Sequence, residues 1–199
     1  MDTLLDGYRR FRYEIWPEER ARYERLAKHG QRPETLVVAC CDSRVDPQTV
    51  FGAVPGELFV ARNIGGVVPP YQPDGHYHCT SATLEFGVRV LKVKQVVVLG
   101  HAQCGGVAAM LDGVPEDAQD FVGPWMGLLK PTRARMPHDE HDHDAFEMEV
   151  VRLSIQNLWT FPWIAQRVEA GDLQLAGFRF DIHTGVLTQL VDGEFEAVT

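Results

Sequence analysis

Two short apolar segments, each followed by residues that can bind a metal, constrain this chain more than any other feature. Residues 36–39 (LVVA) precede a CCDSR segment, and residues 96–99 (VVVL) precede, after one glycine, an HAQCGG segment. Both segments lack polar alternation, which is typical of strands buried on both faces of a parallel sheet. Ligands of open α/β sheets bind beyond the carboxyl ends of the strands. The sequence therefore predicts that Cys40, His101 and Cys104 meet at one point.

The chemistry of these three side chains indicates zinc. Two thiolates and one imidazole leave one position of a tetrahedron open, which is the arrangement of catalytic rather than structural zinc sites. Water in the open position would have its pKa lowered by zinc to about 7. The sequence thus predicts metal-hydroxide chemistry. The alternative is that the cysteines are small core residues and that His101 is a hydrogen-bonded histidine at a strand end.

The rest of the chain predicts a single α/β domain over residues 1–199, with a mostly parallel central sheet flanked by helices. Residues 1–29 form a predicted N-terminal helical arm, interrupted at Pro17, whose apolar face covers either its own sheet or a neighbouring subunit. Ser81 is the expected cap of a later helix. Further predicted elements are a strand at 58–61, helices at 147–158 and 162–171, and a C-terminal antiparallel hairpin edge of 178–182 and 186–190.

Composition limits the partners and the compartment. The formal charge of -9 argues against nucleic acid or an anionic membrane surface as a partner. No apolar run reaches the roughly 18 residues of a membrane span, and the first residues lack a secretion pattern. We therefore expect a cytoplasmic protein with reduced thiols. Cys41 and Cys79 are expected to be free and buried.

The paired motifs, Cys-x-Asp-Ser-Arg followed by His-x-x-Cys-Gly-Gly, resemble those of the β-class carbonic anhydrases. Residues 55–64, 81–90, 157–171 and 177–185 are also similar to that family, so that the resemblance covers roughly residues 30–190. It implies that Zn²⁺, held by Cys40, His101 and Cys104, binds a hydroxide that attacks carbon dioxide and forms bicarbonate and a proton. It also implies a homodimer or higher homo-oligomer associating through N-terminal helices.

Asp42 and Arg44 are the expected catalytic pair. An arginine beside an aspartate favours the ionised carboxylate. The resemblance implies that Asp42 accepts a hydrogen bond from the zinc-bound hydroxide. It also implies a closed state in which Asp42, released by Arg44, becomes the fourth zinc ligand. A simple salt bridge closing a turn is the alternative.

The resemblance further implies a substrate pocket. Gln31 matches a glutamine that donates a hydrogen bond to bicarbonate, Phe59 and Ile64 match an apolar wall, and Phe86 stands where relatives often carry tyrosine.

One class in the family has a bicarbonate-responsive site of Trp, Arg and Tyr. Here Arg62 is kept, but Val37 and Phe180 replace the other two residues. We therefore predict that the chain lacks this inhibitory site.

Three further hypotheses remain at this point. The same ligands would serve a hydrolase of carbon disulfide or carbonyl sulfide. A non-enzymatic zinc-stabilised protein would need Asp42 to fill the fourth position permanently. Finally, His138, His141 and His143 lie among acidic residues, where a solvated loop is the favoured interpretation and adventitious metal binding is the other.

Overall fold

A six-stranded sheet forms the centre of the computed structural model, which describes residues 1–136 and 142–199. The strands are β1 (Thr35–Cys40), β2 (Leu58–Asn63), β3 (Gln95–His101), β4 (Gln174–Phe180), β5 (Leu187–Val191) and β6 (Glu194–Ala197). Their spatial order is β2-β1-β3-β4-β5-β6. The first four strands pair in parallel with one another, whereas β5 is antiparallel to β4 and β6 is antiparallel to β5. The predicted fold class is confirmed.

Helices surround this sheet and account for most of the remaining chain. The longer ones are α1 (Asp2–Arg10), α2 (Trp16–His29), α4 (Cys79–Glu85), α5 (Gly105–Asp112), α8 (His143–Trp159) and α9 (Pro162–Glu169). Short helices are α3 (Pro47–Val50), α6 (Val122–Met126) and α7 (Lys130–Arg133), with 3₁₀ turns at Ile64–Gly66, Glu116–Ala118 and Gly127–Leu129. Two π-helical segments, Phe11–Ile15 and Phe86–Leu91, link α1 to α2 and extend α4.

The two central strands are buried on both faces, as their sequences predict. Alternate side chains of β1 and β3 face opposite layers. Leu36 and Val38 pack with Val96 and Val98 in the larger core under α4, α8 and α9. The intervening residues of the two strands face the other side of the sheet, where they form a smaller core with the segment around α3. These residues are Val37, Ala39, Val97 and Leu99. Burying both faces fixes the register of the strands and the position of their carboxyl ends.

Helix α8 approaches the sheet closely because two glycines leave room for it. A Cβ atom at Gly100 of β3 would lie 2.6 Å from Cγ2 of Val151, and one at Gly177 of β4 would lie 2.8 Å from its Cγ1. Real Cβ atoms do not approach carbon so closely, so a larger residue at either position would push the helix away. The N-terminal half of α8 therefore lies directly beneath the end of β3.

The arm is helical from Asp2 to His29, and the predicted interruption at Pro17 is wrong. Pro17 lies in the first turn of α2, where a missing N–H is tolerated, directly after the wider π-helical segment. None of residues 2–29 is buried. Leu4, Tyr8 and Ile15 are 76%, 60% and 50% exposed, so this apolar face does not cover the chain's own sheet.

Two other expectations about the secondary structure need correction. Ser81 does not cap its helix, because α4 already begins at Cys79, after a loop in which Asp74 bonds His78. The hairpin begins earlier than predicted, since β4 starts at Gln174 and first pairs in parallel with β3.

Cys41 and Cys79 are free as predicted, but the expectation of burial is wrong. Both are exposed, because one follows the end of β1 as the chain leaves the sheet and the other opens a surface helix.

Two observations concern the membrane and the histidine-rich segment. Within residues 1–136 and 142–199, no helix is long and apolar enough to cross a bilayer. His138 and His141 lie outside the described residues, whereas His143 begins α8, with its Nε2 3.7 Å from a carboxylate oxygen of Asp112.

Candidate metal centre

Three potential metal ligands converge at the carboxyl edge of the sheet. Cys40 ends β1, His101 ends β3, and Cys104 precedes α5. Parallel pairing of β1 with β3 places Ala39 opposite Leu99, so both strands end at the same edge of the sheet. The three ligand atoms all lie within 4.8 Å of one another, and all three residues are buried. They form a compact donor set.

The histidine is oriented with one nitrogen free. Nδ1 of His101 lies 2.8 Å from the carbonyl oxygen of Ala102, which requires Nδ1 to carry the proton and donate it. The lone pair is then on Nε2, a buried atom without a hydrogen-bond partner among the residues described. A buried nitrogen left without a partner is costly unless a cation binds it. The carbonyl contact on the other ring nitrogen is the usual support of a histidine ligand.

The two thiols are also arranged for a cation. The Sγ atoms of Cys40 and Cys104 are 3.8 Å apart. Two sulfurs bound tetrahedrally to zinc at about 2.3 Å are separated by about the same distance. The hydrogen bond from Cys104 lowers the pKa of Cys40 to about 4. The same bond, with burial, raises the pKa of Cys104. The pair therefore retains one proton, which a bound cation would displace.

The pKa of His101 is also shifted by its neighbours. Burial works to lower the pKa of His101, but the neighbouring Cys40 sulfur and the Ala102 carbonyl outweigh it and raise the pKa. A cation at this point would bind the Cys40 thiolate directly and would compete with protons for the Cys104 sulfur and the imidazole Nε2. The residues fit a Cys-His-Cys zinc site.

Asp42 lies beside this donor set, held by Arg44. Its Oδ2 is 3.9 Å from Nε2 of His101. Arg44 donates from Nε to Oδ1 at 3.0 Å and from Nη2 to Oδ2 at 2.7 Å, and its backbone N–H reaches Oδ1 at 2.9 Å. These bonds hold the pKa of Asp42 well below its usual range. Asp42 is a carboxylate at any pH at which the protein is assayed.

Arg62 of β2 supports the loop that carries this pair. Its Nε donates to the carbonyl oxygen of Cys40 at 2.8 Å. Its Nη2 donates to the carbonyls of Asp42 and Val45, at 2.7 and 2.8 Å. The guanidinium is thus bonded to three backbone oxygens of residues 40–45. This explains how a loop at the end of a strand holds a fixed shape.

Glycines bring the chain close around the ligands. Gly66 has a φ of 62°, which favours glycine, and a Cβ there would lie 3.1 Å from the backbone nitrogen of Cys40. A Cβ at Gly106 would lie 2.8 Å from Cγ2 of Ile64. The turn Ile64–Gly66 therefore packs directly against the ends of β1 and α5.

Only one of the four expected substrate-binding residues lies at this edge of the sheet. Ile64 follows Asn63, the register partner of Cys40, and is 41% exposed. Phe59 lies four residues before Asn63 on β2, about 13 Å back along the strand. Its ring stacks on Phe86 at 5.8 Å, and Phe86 is 44% exposed. Gln31 is exposed after the arm.

Two charged residues beneath the site were missed from the sequence. Glu147 of α8 and Arg179 of β4 are only 2% and 5% exposed. Oε1 of Glu147 accepts the backbone N–H of Cys104 at 3.0 Å, and its Oε2 accepts Nε and Nη2 of Arg179 at 3.1 and 2.8 Å. The available signal was a glutamate one helical turn before Val151 in an apolar stripe, and an arginine between Phe178 and Phe180 in a strand.

Comparison with known proteins agrees with this geometry. The sequence profile described as carbonic anhydrase matches residues 35–187. A carbonic anhydrase of Pseudomonas aeruginosa is 36% identical over 197 residues, covering 96% of this chain and 87% of the relative. The β carbonic anhydrase 3 of Arabidopsis thaliana is 31% identical over 194 residues, covering 93% and 74%.

Solved structures give the same result. The β-carbonic anhydrase CcaA has a TM-score of 0.87 at 30% identity, covering 100% of this chain and 92% of that chain. Two tetrameric β-carbonic anhydrases of the ascomycete Sordaria macrospora match with a TM-score of 0.74 at 28% identity, covering 98% and 95%. The fold and the Cys-His-Cys site are those of a metal-dependent enzyme built on a parallel sheet. The chain belongs to the β-class carbonic anhydrases.

Proposed function

We propose that the chain catalyses the reversible hydration of carbon dioxide to bicarbonate and a proton, with zinc held by Cys40, His101 and Cys104. The observation that carries the proposal is the buried Nε2 of His101, which lacks a partner among the described residues and converges with two thiols whose spacing suits zinc. Zinc bound there acts as a Lewis acid that makes water a nucleophile near neutral pH.

Asp42 has the charge and position to orient the nucleophile. Its ionised Oδ2 lies next to the donor set and accepts a hydrogen bond from the attacking water, so that the oxygen lone pair is directed at the substrate carbon. Arg44 is expected to keep this carboxylate away from the metal. Three hydrogen bonds from Arg44 argue for the open arrangement rather than for Asp42 as a fourth ligand.

We also propose that the pocket is completed by a second copy of the chain. Gln31, Phe59 and Phe86 are expected to contact substrate, yet Phe59 lies far back along β2 from the ligands of its own chain. The arm has an exposed apolar face that a second copy would cover. The Sordaria macrospora relatives are tetrameric. A homodimer or higher homo-oligomer in the cytoplasm, where four free thiols stay reduced, is the assembly we propose.

Stopped-flow measurement of carbon dioxide hydration, with zinc analysis of the same sample, tests the proposal. The wild type is expected to contain one zinc per chain and to be active. Cys104→Ser is expected to lose both, because the ligand set becomes incomplete. Cys79→Ser removes an exposed thiol of the same kind and should change neither. Wild-type protein without zinc, or an active Cys104→Ser variant, would contradict the proposal.

A further inference from the structure

The peptide group joining Gln103 to Cys104 is held from both sides. Its carbonyl oxygen accepts Nη2 of Arg44 at 2.9 Å, and its N–H donates to Oε1 of Glu147 at 3.0 Å. Gln103 has a φ of 54°, a strained conformation that non-glycine residues rarely adopt. Without external contacts this peptide would relax, and Cys104 would move with it.

The contact on the N–H side is built from buried charges. Glu147 is fixed by two bonds from Arg179, whose Nη2 also contacts Asp144 at 2.5 Å. Arg179 is the register partner of Gly100, directly before His101. The absence of a side chain at Gly100 lets α8 come close enough for Glu147 to reach the site. The ion pair thus lies under the segment that carries two of the three ligands.

A buried ion pair is weak evidence for a stabilising role. The cost of removing two charges from water often exceeds their attraction, and replacement by apolar residues of similar size is frequently neutral or stabilising. Here one carboxylate oxygen is used by Arg179 and the other by a backbone N–H that no helix or strand bond satisfies. The Glu147–Arg179 pair therefore acts on one backbone group, because its free carboxylate oxygen orients the 103–104 peptide.

We propose that Glu147 and Arg179 are positioning residues of the metal centre. They orient the 103–104 peptide, and through it both the sulfur of Cys104 and the Arg44 guanidinium that holds Asp42. The inference rests on the proposed zinc-dependent function. It goes beyond it by assigning a role to two residues that touch neither metal nor substrate.

The discriminating variant is the double substitution Glu147→Met/Arg179→Met, which keeps the volume and removes both charges. Its melting temperature should stay near that of the wild type, since no buried charge is left unpaired. Zinc transfer from the holoenzyme to a chromogenic chelator should nevertheless be 10–100-fold faster, the usual effect of removing an outer partner of a metal ligand. Turnover should fall through kcat more than through KM. Wild-type zinc release in a folded double variant would overturn the proposal.

Single variants and a matched control complete the test. Glu147→Gln removes the buried carboxylate, leaves Arg179 paired with Asp144 alone, and should also release zinc faster. Arg179→Lys keeps a buried cation with fewer directed donors and should fall between Glu147→Gln and the wild type. Glu149→Gln removes a carboxylate from the same helix, where it pairs with Arg152 at 2.6 Å away from the site, and should behave as wild type. A Glu149→Gln effect equal to that of Glu147→Gln would show a general helix effect and overturn the assignment.

Hydrogen exchange separates this inference from the proposed function. If the wild type contains no zinc, the proposed function fails, but the peptide contact remains measurable by mass spectrometry of residues 101–106. The amide of Cys104 should exchange at least tenfold faster in the double variant, because its acceptor is lost. Equal exchange in the two proteins would overturn the positioning role whatever the metal content.

Discussion

Arg44 bonds both carboxylate oxygens of Asp42, at 3.0 and 2.7 Å, and the carbonyl oxygen of Gln103 at 2.9 Å. One guanidinium therefore joins the loop after β1 to the loop after β3. The two halves of the candidate site, which are far apart in the sequence, are connected by a side chain that is not itself a ligand. This connection determines where Asp42 points.

Arg44→Gln should lower kcat/KM for carbon dioxide hydration by about 100-fold, because a misplaced catalytic group commonly costs that much. Loss of the Arg44 guanidinium also raises the pKa of Asp42 toward the ordinary value of about 3.9, since the opposite charge that favours ionisation is removed. Stopped-flow assays between pH 6 and 9 would measure the effect.

The control for this prediction is Arg9→Gln. Arg9 bonds Asp6 at 2.5 Å on the exposed arm, so the same chemical change is made away from the site. Wild-type activity in Arg44→Gln, or equal losses in both variants, would contradict a catalytic role for the Arg44–Asp42 pair.

The thiols should titrate as a pair in zinc-free protein. In a Cys41→Ser/Cys79→Ser background, absorbance at 240 nm should show one thiolate per chain at neutral pH, because the pKa of Cys40 is lowered to about 4 and that of Cys104 is raised. Cys104→Ala should raise the pKa of Cys40, since a hydrogen bond that favours the thiolate is lost.

Cys104→Ser provides the comparison, because a hydroxyl at that position can still donate to Cys40. Its remaining thiol should ionise at lower pH than that of Cys104→Ala. Two thiols titrating together near the ordinary value of about 8.5 would refute the coupling.

Added bicarbonate should not shut the enzyme down cooperatively. Arg62 is already bonded to the carbonyls of Cys40, Asp42 and Val45. Val37 and Phe180 stand where that site has its other two residues, and neither has a polar side chain. Hydration rates at neutral pH with increasing bicarbonate should follow simple product inhibition, with a Hill coefficient near one. A sigmoidal loss of activity would reveal an inhibitory site of a kind that these residues do not predict.

Gly100→Ala should destabilise the fold by about 1–3 kcal/mol, the usual cost of an inserted methyl group in a packed core. The new Cβ would lie 2.6 Å from Val151. Urea unfolding measures the loss.

Gly105→Ala is the matched control. It lies at the start of α5, with nothing within 4 Å of an added Cβ. It should be neutral or slightly stabilising, because alanine favours a helix by about 1 kcal/mol over glycine. Equal destabilisation by both substitutions would contradict the packing argument.

Much of the sheet could be predicted from the sequence, since the buried runs at residues 36–39 and 96–99 have a pattern that few other structures share. Their parallel pairing explains why the strand-end residues meet. The earlier start of β4 was not predicted, because Gln174 is polar and exposed at the sheet edge. β6 was missed for a similar reason: its acidic residues alternate with few apolar ones.

The ligands of the candidate site could be predicted, because residues such as Cys40 and Cys104 have metal-binding side chains and lie at or shortly after the end of a buried strand. Glu147 was not identified, because its role depends on how closely α8 approaches Gly100, a distance set by tertiary packing. Phe59 lies far along β2 from the ligands of its own chain, and no local sequence pattern shows whether a second copy brings it to the substrate. The expectation that Cys41 and Cys79 are buried was wrong, because small apolar residues at the ends of strands and helices are often exposed.

The separation between the arm and the sheet has an evolutionary consequence. The arm, Asp2–His29, contributes no buried residue, whereas the ligand geometry depends on strands, glycines and buried charges elsewhere in the chain. Substitutions on the exposed face of this helix can accumulate without moving the candidate metal donors. The residues that would bind zinc and the residues exposed on the arm are thus encoded in separate parts of the chain, and either set can change in sequence without displacing the other.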